Sequence, residues 1–326
     1  MNKPVEIIAE FCQNHNGSFD LLARMVEAAA KAGASHGKIQ AIFADEVAFR
    51  PQFEQGLVEN GVMLSIKRPY QPEYDRLKEL EIDYDQTGKF VQLCKDAGIK
   101  PMTTCFTRAQ VEPLSQCGFQ EIKVASYDCA SFPMIRELKV KFPRVVVSTG
   151  ATYDDEVRHT AGILKGHDFA MLHCVTLYPT PLSQVHMARM DWLSGLTPQV
   201  GYSDHSAVAQ DMQMVGSKVA IHRGATVVER HFTILPASET RDGPVSITAD
   251  MLADLVRFAA LEPFSQETEL DKADANWRAA IGEGNRKLSD QELLNRDYYR
   301  GRFASRRPES QAGRRMIFNW EDVPLS

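Results

Sequence analysis

Short apolar runs alternate with longer amphipathic stretches along most of the chain. Residues 5–9 predict a buried strand, and residues 19–32 carry apolar positions at helical spacing, with Ser18 as N-cap and Gly33 as stop. Further strands are expected at 36–42, 100–105, 121–125, 145–148, 169–173, 199–202 and 226–229. Helices are expected at 84–97, 108–116, 132–139, 154–164, 207–221 and 249–261. Strand and helix alternate through eight such units, the pattern of a (β/α)8 TIM barrel in the α/β class. A doubly wound open sheet is the main rival, but no Gly-x-Gly-x-x-Gly turn follows the first strand.

Two stretches depart from the alternation. Residues 60–83, interrupted by Pro69 and Pro72, read as a long irregular loop over the mouth of the barrel. From Glu262 the chain turns polar and then arginine-rich, with Arg300, Arg302, Arg306, Arg307, Arg314 and Arg315. That composition cannot build a core of its own. The division expected is a barrel over 1–264 and a C-terminal extension over 265–326, packed on the barrel or on a partner chain. The arginines read as a solvated or interfacial surface.

Composition narrows the function classes. The 326 residues are 44% hydrophobic and 25% charged, which excludes intrinsic disorder. The net charge of −6 leaves no basic footprint for nucleic acid. No apolar run is long enough for a membrane span, and the first residues lack a secretory pattern, so a cytoplasmic location is expected. The six cysteines include no Cys-x-x-Cys pair, which argues against structural zinc and leaves them as small buried apolar residues, with a catalytic role for Cys105 or Cys129 the lesser reading.

Candidate chemistry lies where barrel strands end. Lys38 and Lys123, with Thr104, Ser126, Ser148 and Ser203, would form a cationic, hydroxyl-lined pocket for a small di- or trianion. His205 and His231 fall on neighbouring strands and would reach one divalent metal with positions left open for substrate. Each residue alone has an ordinary structural role open to it, such as ion pairing or helix capping. Converging on one mouth, they would carry a desolvation cost with no structural return.

The stretches AEFCQNHNGS (9–18), MVEAAAKAGASHGKIQ (25–40), TTCF (103–106), IKVASYD (122–128), VVVSTGAT (145–152), LHCVTLYPT (172–180), VGYSDHS (200–206) and GATVVERHFT (224–233) together resemble the sialic acid synthase family. These are transferases of nonulosonate biosynthesis that condense phosphoenolpyruvate with an amino-sugar aldehyde on a (β/α)8 barrel. The resemblance implies that Lys38, Thr104, Lys123, Ser126, Ser148 and Ser203 hold phosphoenolpyruvate. It implies Mn2+ or Mg2+ on His205 and His231. Glu10, Gln40, Tyr178 and Asp242 would hold the acceptor sugar or nearby waters, and Glu10 or Asp128 would manage the proton of the attacking water. The acceptor implied is an N-acetylated hexosamine-type aldose, and the assembly a homodimer.

Several positions depart from the family pattern. Asp128 stands where a glutamate is usual, Cys105 for proline and Thr176 for asparagine, and no Asp-His follows residues 242–244. The family's C-terminal antifreeze-like domain, which donates an arginine to a partner's sugar site, has no counterpart beyond the linker-like residues 282–307. A barrel that binds a sugar acid or a partner protein without turnover, and a synthase for a non-amino aldose, remain as alternatives.

Overall fold

Eight parallel strands close into a barrel in the computed structural model, which describes residues 4–307 and 316–325. The strands are β1 (Glu6–Cys12), β2 (His36–Gln40), β3 (Lys100–Cys105), β4 (Glu121–Val124), β5 (Arg144–Ser148), β6 (Asp168–Cys174), β7 (Val200–Asp204) and β8 (Val227–His231). Each pairs with its neighbours in sequence, and β1 pairs with both β2 and β8, which closes the ring. The main surrounding helices are α1 (Phe19–Lys31), α2 (Tyr84–Asp96), α3 (Val111–Gln116), α4 (Phe132–Lys141), α5 (Asp154–Leu164), α6 (Arg189–Ser194), α7 (Val215–His222) and α8 (Ala249–Ala259). Ser18 caps α1 by accepting from Leu21 N, and Gly33 takes the left-handed φ of +92° that ends it.

The barrel interior is layered by the two-residue period of its strands. At the N-terminal end Arg144 pairs with Glu6 and Glu121, and Glu121 also meets Lys100 at 2.9 Å and His36 at 3.1 Å. Above this network Ile8, Met102, Val146, Ala170, Leu172 and Val227 form an apolar plug. Two positions further along the same strands stand Glu10, Thr104, Ser148, Cys174 and Glu229, all on the wall of a cavity. Alternation thus turns an apolar floor into a polar site within one step of each strand.

Three segments differ from the sequence reading. The expected loop over 60–83 is part of an ordered insertion, with a hairpin of Leu57–Glu59 against Val62–Ser65 and a helix over Tyr70–Glu79. Pro69 precedes that helix and Pro72 lies in its first turn, where proline's missing donor is not needed. The helix expected over 207–221 begins only at Val215, because Met214 adopts a left-handed conformation and the Asp211 carboxylate accepts from Val215 N and Gly216 N. Helix α6 was not expected; Met190 and Leu193 fix it to the core.

The C-terminal segment is stitched onto the barrel. Helix α9 (Pro263–Ala273) spans the position where the extension was expected to begin, and its Leu270 joins the same core as Trp277 and Ala280. Helix α10 (Asp290–Tyr299) crosses the C-terminal ends of the strands: Asn295 donates to Thr176 O and Arg296 to Ala151 O. Phe303 then packs with Ile42, Ala44, Val47 and Leu77. Arg314 and Arg315 lie outside the described residues. Among those described, no helix is long and apolar enough to cross a membrane.

Glu121 anchors the lower network. Burial alone would raise its pKa, but His36, Arg144 and Lys100 outweigh it and hold the carboxyl at about 2. Its contribution is therefore complete above the ordinary glutamate pKa and is lost as pH falls toward 2. Glu121→Gln is expected to cost roughly 3 kcal/mol at neutral pH and to flatten the acid limb of urea-denaturation midpoints. Ligand binding at the opposite end of the barrel should be unchanged.

Candidate active site

Every strand of the barrel delivers a side chain to one cavity of about 400 Å³ at the C-terminal face. Lys38, Thr104, Lys123, Ser126, Ser148 and Ser203 all line it, as do Glu10, Gln40, Tyr178, Asp242, His205 and His231. Alternation along β7 and β8 turns Ser203, His205, Glu229 and His231 inward. Between them Asp204 and Arg230 form a fully buried ion pair at 2.7 Å, which ties the two histidine-bearing strands together.

The floor is built from two lysines and two carboxylates. Lys38 contacts Glu10 directly, donates to Thr104 Oγ1 at 3.1 Å and lies 3.6 Å from Glu229. Lys123 donates to Ser148 Oγ at 2.6 Å and lies 3.8 Å from Glu229, which also accepts from Ser203 Oγ at 3.0 Å. The expected cationic floor is thus charge-balanced. Carboxylates from β1 and β8 sit against the lysines because a buried ammonium without a partner is costly. Burial lowers the pKa of Lys38 to about 8, while Lys123 and Lys38 hold Glu229 well below the usual carboxylate range against the opposing effect of burial. The net positive charge sits higher up, where Arg68, Arg76, Arg241 and Arg302 line the mouth with Glu73 among them.

Ser126 enters the cavity from a 3-10 turn after β4 and accepts from Gly150 N at 3.1 Å. Gly150 permits that approach: a Cβ there would lie 2.7 Å from Thr176 Cγ2 and 2.9 Å from Ser126 Oγ. The same turn carries Asp128 away from the cavity wall. Its carboxylate accepts from Ser131 at 2.8 Å and Asn319 at 2.9 Å, and Asp128 is not among the lining residues. Of the two carboxylates proposed from sequence for the proton, only Glu10 is on the wall.

The two imidazoles are close enough to share an ion, with ring centroids 5.3 Å apart. Burial, and then the charge of His231, lower the pKa of His205 to about 3; burial also lowers that of His231, so both are neutral and able to ligate at neutral pH. His231 Nδ1 and Asp242 Oδ2 are buried without a hydrogen-bond partner, 3.9 Å apart. Orphaned donor atoms of this kind fit a divalent cation.

Sequence reading missed several wall residues. Glu229 was seen at a strand end but given no role, and Cys12 was treated as core. Arg302, Tyr298 and Tyr299 come from the extension, where the arginines were read as surface. Tyr299 stacks on Tyr127 at 4.8 Å, and Arg302 contacts Glu73 of the insertion. His173, in contrast, is turned away and bonds to Val185 O at 2.6 Å.

A closed barrel with ionic, hydroxyl and imidazole groups gathered at the C-terminal ends of its strands defines a (β/α)8 enzyme. Residues 25–262 match the NeuB family, and the chain belongs to it, the family of the sialic acid synthases. It is 26% identical over 309 residues to a pseudaminic acid synthase of Campylobacter jejuni, covering 94% of this chain and 83% of that one. It is 27% identical to an N,N'-diacetyllegionaminic acid synthase of Legionella pneumophila, over 92% and 80% of the two chains. The crystal structure of an N-acetylneuraminic acid synthetase from Leptospira borgpetersenii, in complex with citrate, shares the fold with a TM-score of 0.67 at 24% identity, over 91% of each chain.

Asp128 gives a test of this wall assignment. Burial raises its pKa to about 6, so its contribution to stability is complete below the ordinary aspartate pKa and is lost as pH rises through 6. Asp128→Asn should gain stability relative to wild type by roughly 2 kcal/mol between about pH 4 and pH 8, read from paired denaturation curves. A pH-independent difference would contradict the burial of this carboxyl.

Proposed function

We propose that this protein condenses phosphoenolpyruvate with the open-chain form of an N-acetylated hexosamine-type aldose, giving a nine-carbon sialic-acid-like sugar and phosphate. The observation that carries this reading is the convergence of Lys38, Thr104, Lys123, Ser126, Ser148 and Ser203 on one cavity in a NeuB-family barrel. Named relatives that make pseudaminic, legionaminic and N-acetylneuraminic acids support the sugar class.

In this reading the lysines and hydroxyls hold the carboxylate and phosphate of phosphoenolpyruvate. The incoming anion competes with Glu10 for Lys38. As that ion pair loosens, the buried Glu10 carboxylate gains proton affinity, as a group that must take up a proton requires. Carbon 3 of phosphoenolpyruvate bonds to the aldehyde carbon, and water bonds to carbon 2 while giving a proton to Glu10. The bond from carbon 2 to the phosphate oxygen then breaks, leaving a 2-keto acid. One proton from water ends on the new hydroxyl and the other on phosphate. A divalent cation bound at His205 and His231 would supply Lewis acidity toward the aldehyde oxygen. Gln40, Tyr178 and Asp242 face the acceptor, and Arg302 closes the mouth above it.

The direct test is phosphate release from phosphoenolpyruvate with N-acetylated hexoses and Mn2+, the product being identified by mass. Binding without release would point instead to a barrel that binds without turnover. Lys123→Ala is expected to weaken phosphoenolpyruvate binding by roughly 2–5 kcal/mol, read by titration calorimetry; unchanged affinity would reject the anion site. Arg302→Ala should raise the acceptor KM about tenfold or more while leaving that for phosphoenolpyruvate within about twofold.

A further inference from the structure

We infer that Cys12 is a thiolate ligand of the cation, so that the centre is a mixed sulfur, nitrogen and oxygen site rather than a pair of imidazoles alone. The inference rests on the metal reading above and extends it to a residue that the sequence pattern left in the core. Cys12 closes β1 and lines the cavity. The pairing of β1 with β2 slips in register between Glu10 and Cys12, and Cys12 takes a left-handed φ of 47°. Such a backbone is uncommon for a residue with a side chain and persists where the surroundings enforce it. Here Cys12 N donates to Glu10 Oε1 at 2.6 Å, which fixes the turn.

The thiol is not alone at this point. Sγ of Cys12, a ring nitrogen of His231 and a carboxylate oxygen of Asp242 all lie within 4.8 Å of one another. His231 is 8% exposed, and its Nδ1 and the Asp242 Oδ2 are both buried without a hydrogen-bond partner. Sulfur at about 2.3 Å and nitrogen or oxygen at about 2.0–2.2 Å from one ion place ligand atoms about 3.5 Å apart in a tetrahedron. Movements of about an ångström would therefore bring these donors around a single cation. His205, across from His231, adds a second nitrogen.

The chemistry of the donor set has a consequence for metal choice. A thiolate is a soft ligand that favours Zn2+ and Co2+ over Mg2+, which prefers an all-oxygen shell. The centre should accordingly bind Co2+ far more tightly than Mg2+.

The test uses the full-length protein, stripped of metal with a chelator and titrated with Co2+. Wild type should develop a near-ultraviolet sulfur-to-cobalt charge-transfer band together with the visible bands of bound Co2+. Cys12→Ser should lose the near-ultraviolet band and keep the visible ones, with Co2+ affinity lowered at least about tenfold, the smallest loss expected even for outer partners of a metal ligand. Cys174 is the competing thiol, since its Sγ lies 3.7 Å from His205 Nδ1. Cys174→Ser should therefore keep the band. Co2+ bound by wild type without the band, or a band that survives Cys12→Ser and vanishes in Cys174→Ser, overturns the assignment of Cys12. No binding of Co2+ or Mn2+ by wild type overturns the metal reading itself, and this inference with it.

Discussion

Two ammonium groups and two carboxylates buried at the top of the barrel are the constraint on which the site depends. Lys38 and Lys123 stand on the inside of strands where no water can solvate them freely. Glu10 and Glu229 lie against them, and Thr104, Ser148 and Ser203 take the remaining hydrogen bonds. Such a cluster is stable only if each charge stays within reach of its partners. The closed barrel supplies that rigidity, since its apolar plug fixes strand spacing directly below. A substrate anion then exchanges one set of negative partners for another instead of meeting an uncompensated charge.

The upper wall is made differently. Arg68 and Arg76 come from the 50–80 insertion, and Tyr298, Tyr299 and Arg302 from the C-terminal segment; the two meet across the cavity through Arg302 and Glu73. The strands fix the deep polar layer to within the tolerance of β-sheet geometry. The mouth is fixed by side chains from helices and turns, so its shape is the more variable part of such a site. That division matches the proposed chemistry, in which one substrate is common to the family and the other distinguishes its members.

Much of the barrel was legible because buried parallel strands are continuous apolar runs. β3 and α5 fall on the expected residues, Lys100–Cys105 and Asp154–Leu164. β1 extends to Cys12 instead of ending at residue 9, because Glu10 is an inward-facing strand residue whose charge is met by Lys38. The helix start at Val215 depended on the Asp211 side chain folding back on the chain, which no apolar period records. Among the residues that line the cavity, the lysines, hydroxyls and histidines were legible from their strand-end positions. The pairing of Glu229 with both lysines was not, since it joins strands more than 100 residues apart in sequence. Asp128 lies off the cavity wall for a local reason: a 3-10 turn separates the directions of Ser126 and Asp128, and two positions cannot be assigned a common face there.

The order in which the parts are synthesised has a consequence of its own. β8 ends at His231, so the barrel can close while later residues are still being added. Tyr298, Tyr299 and Arg302 reach the cavity from more than 60 residues beyond that closing strand. A nascent polypeptide thus acquires the deep half of its pocket before the rim, and competence to enclose a ligand arrives only after the barrel has closed.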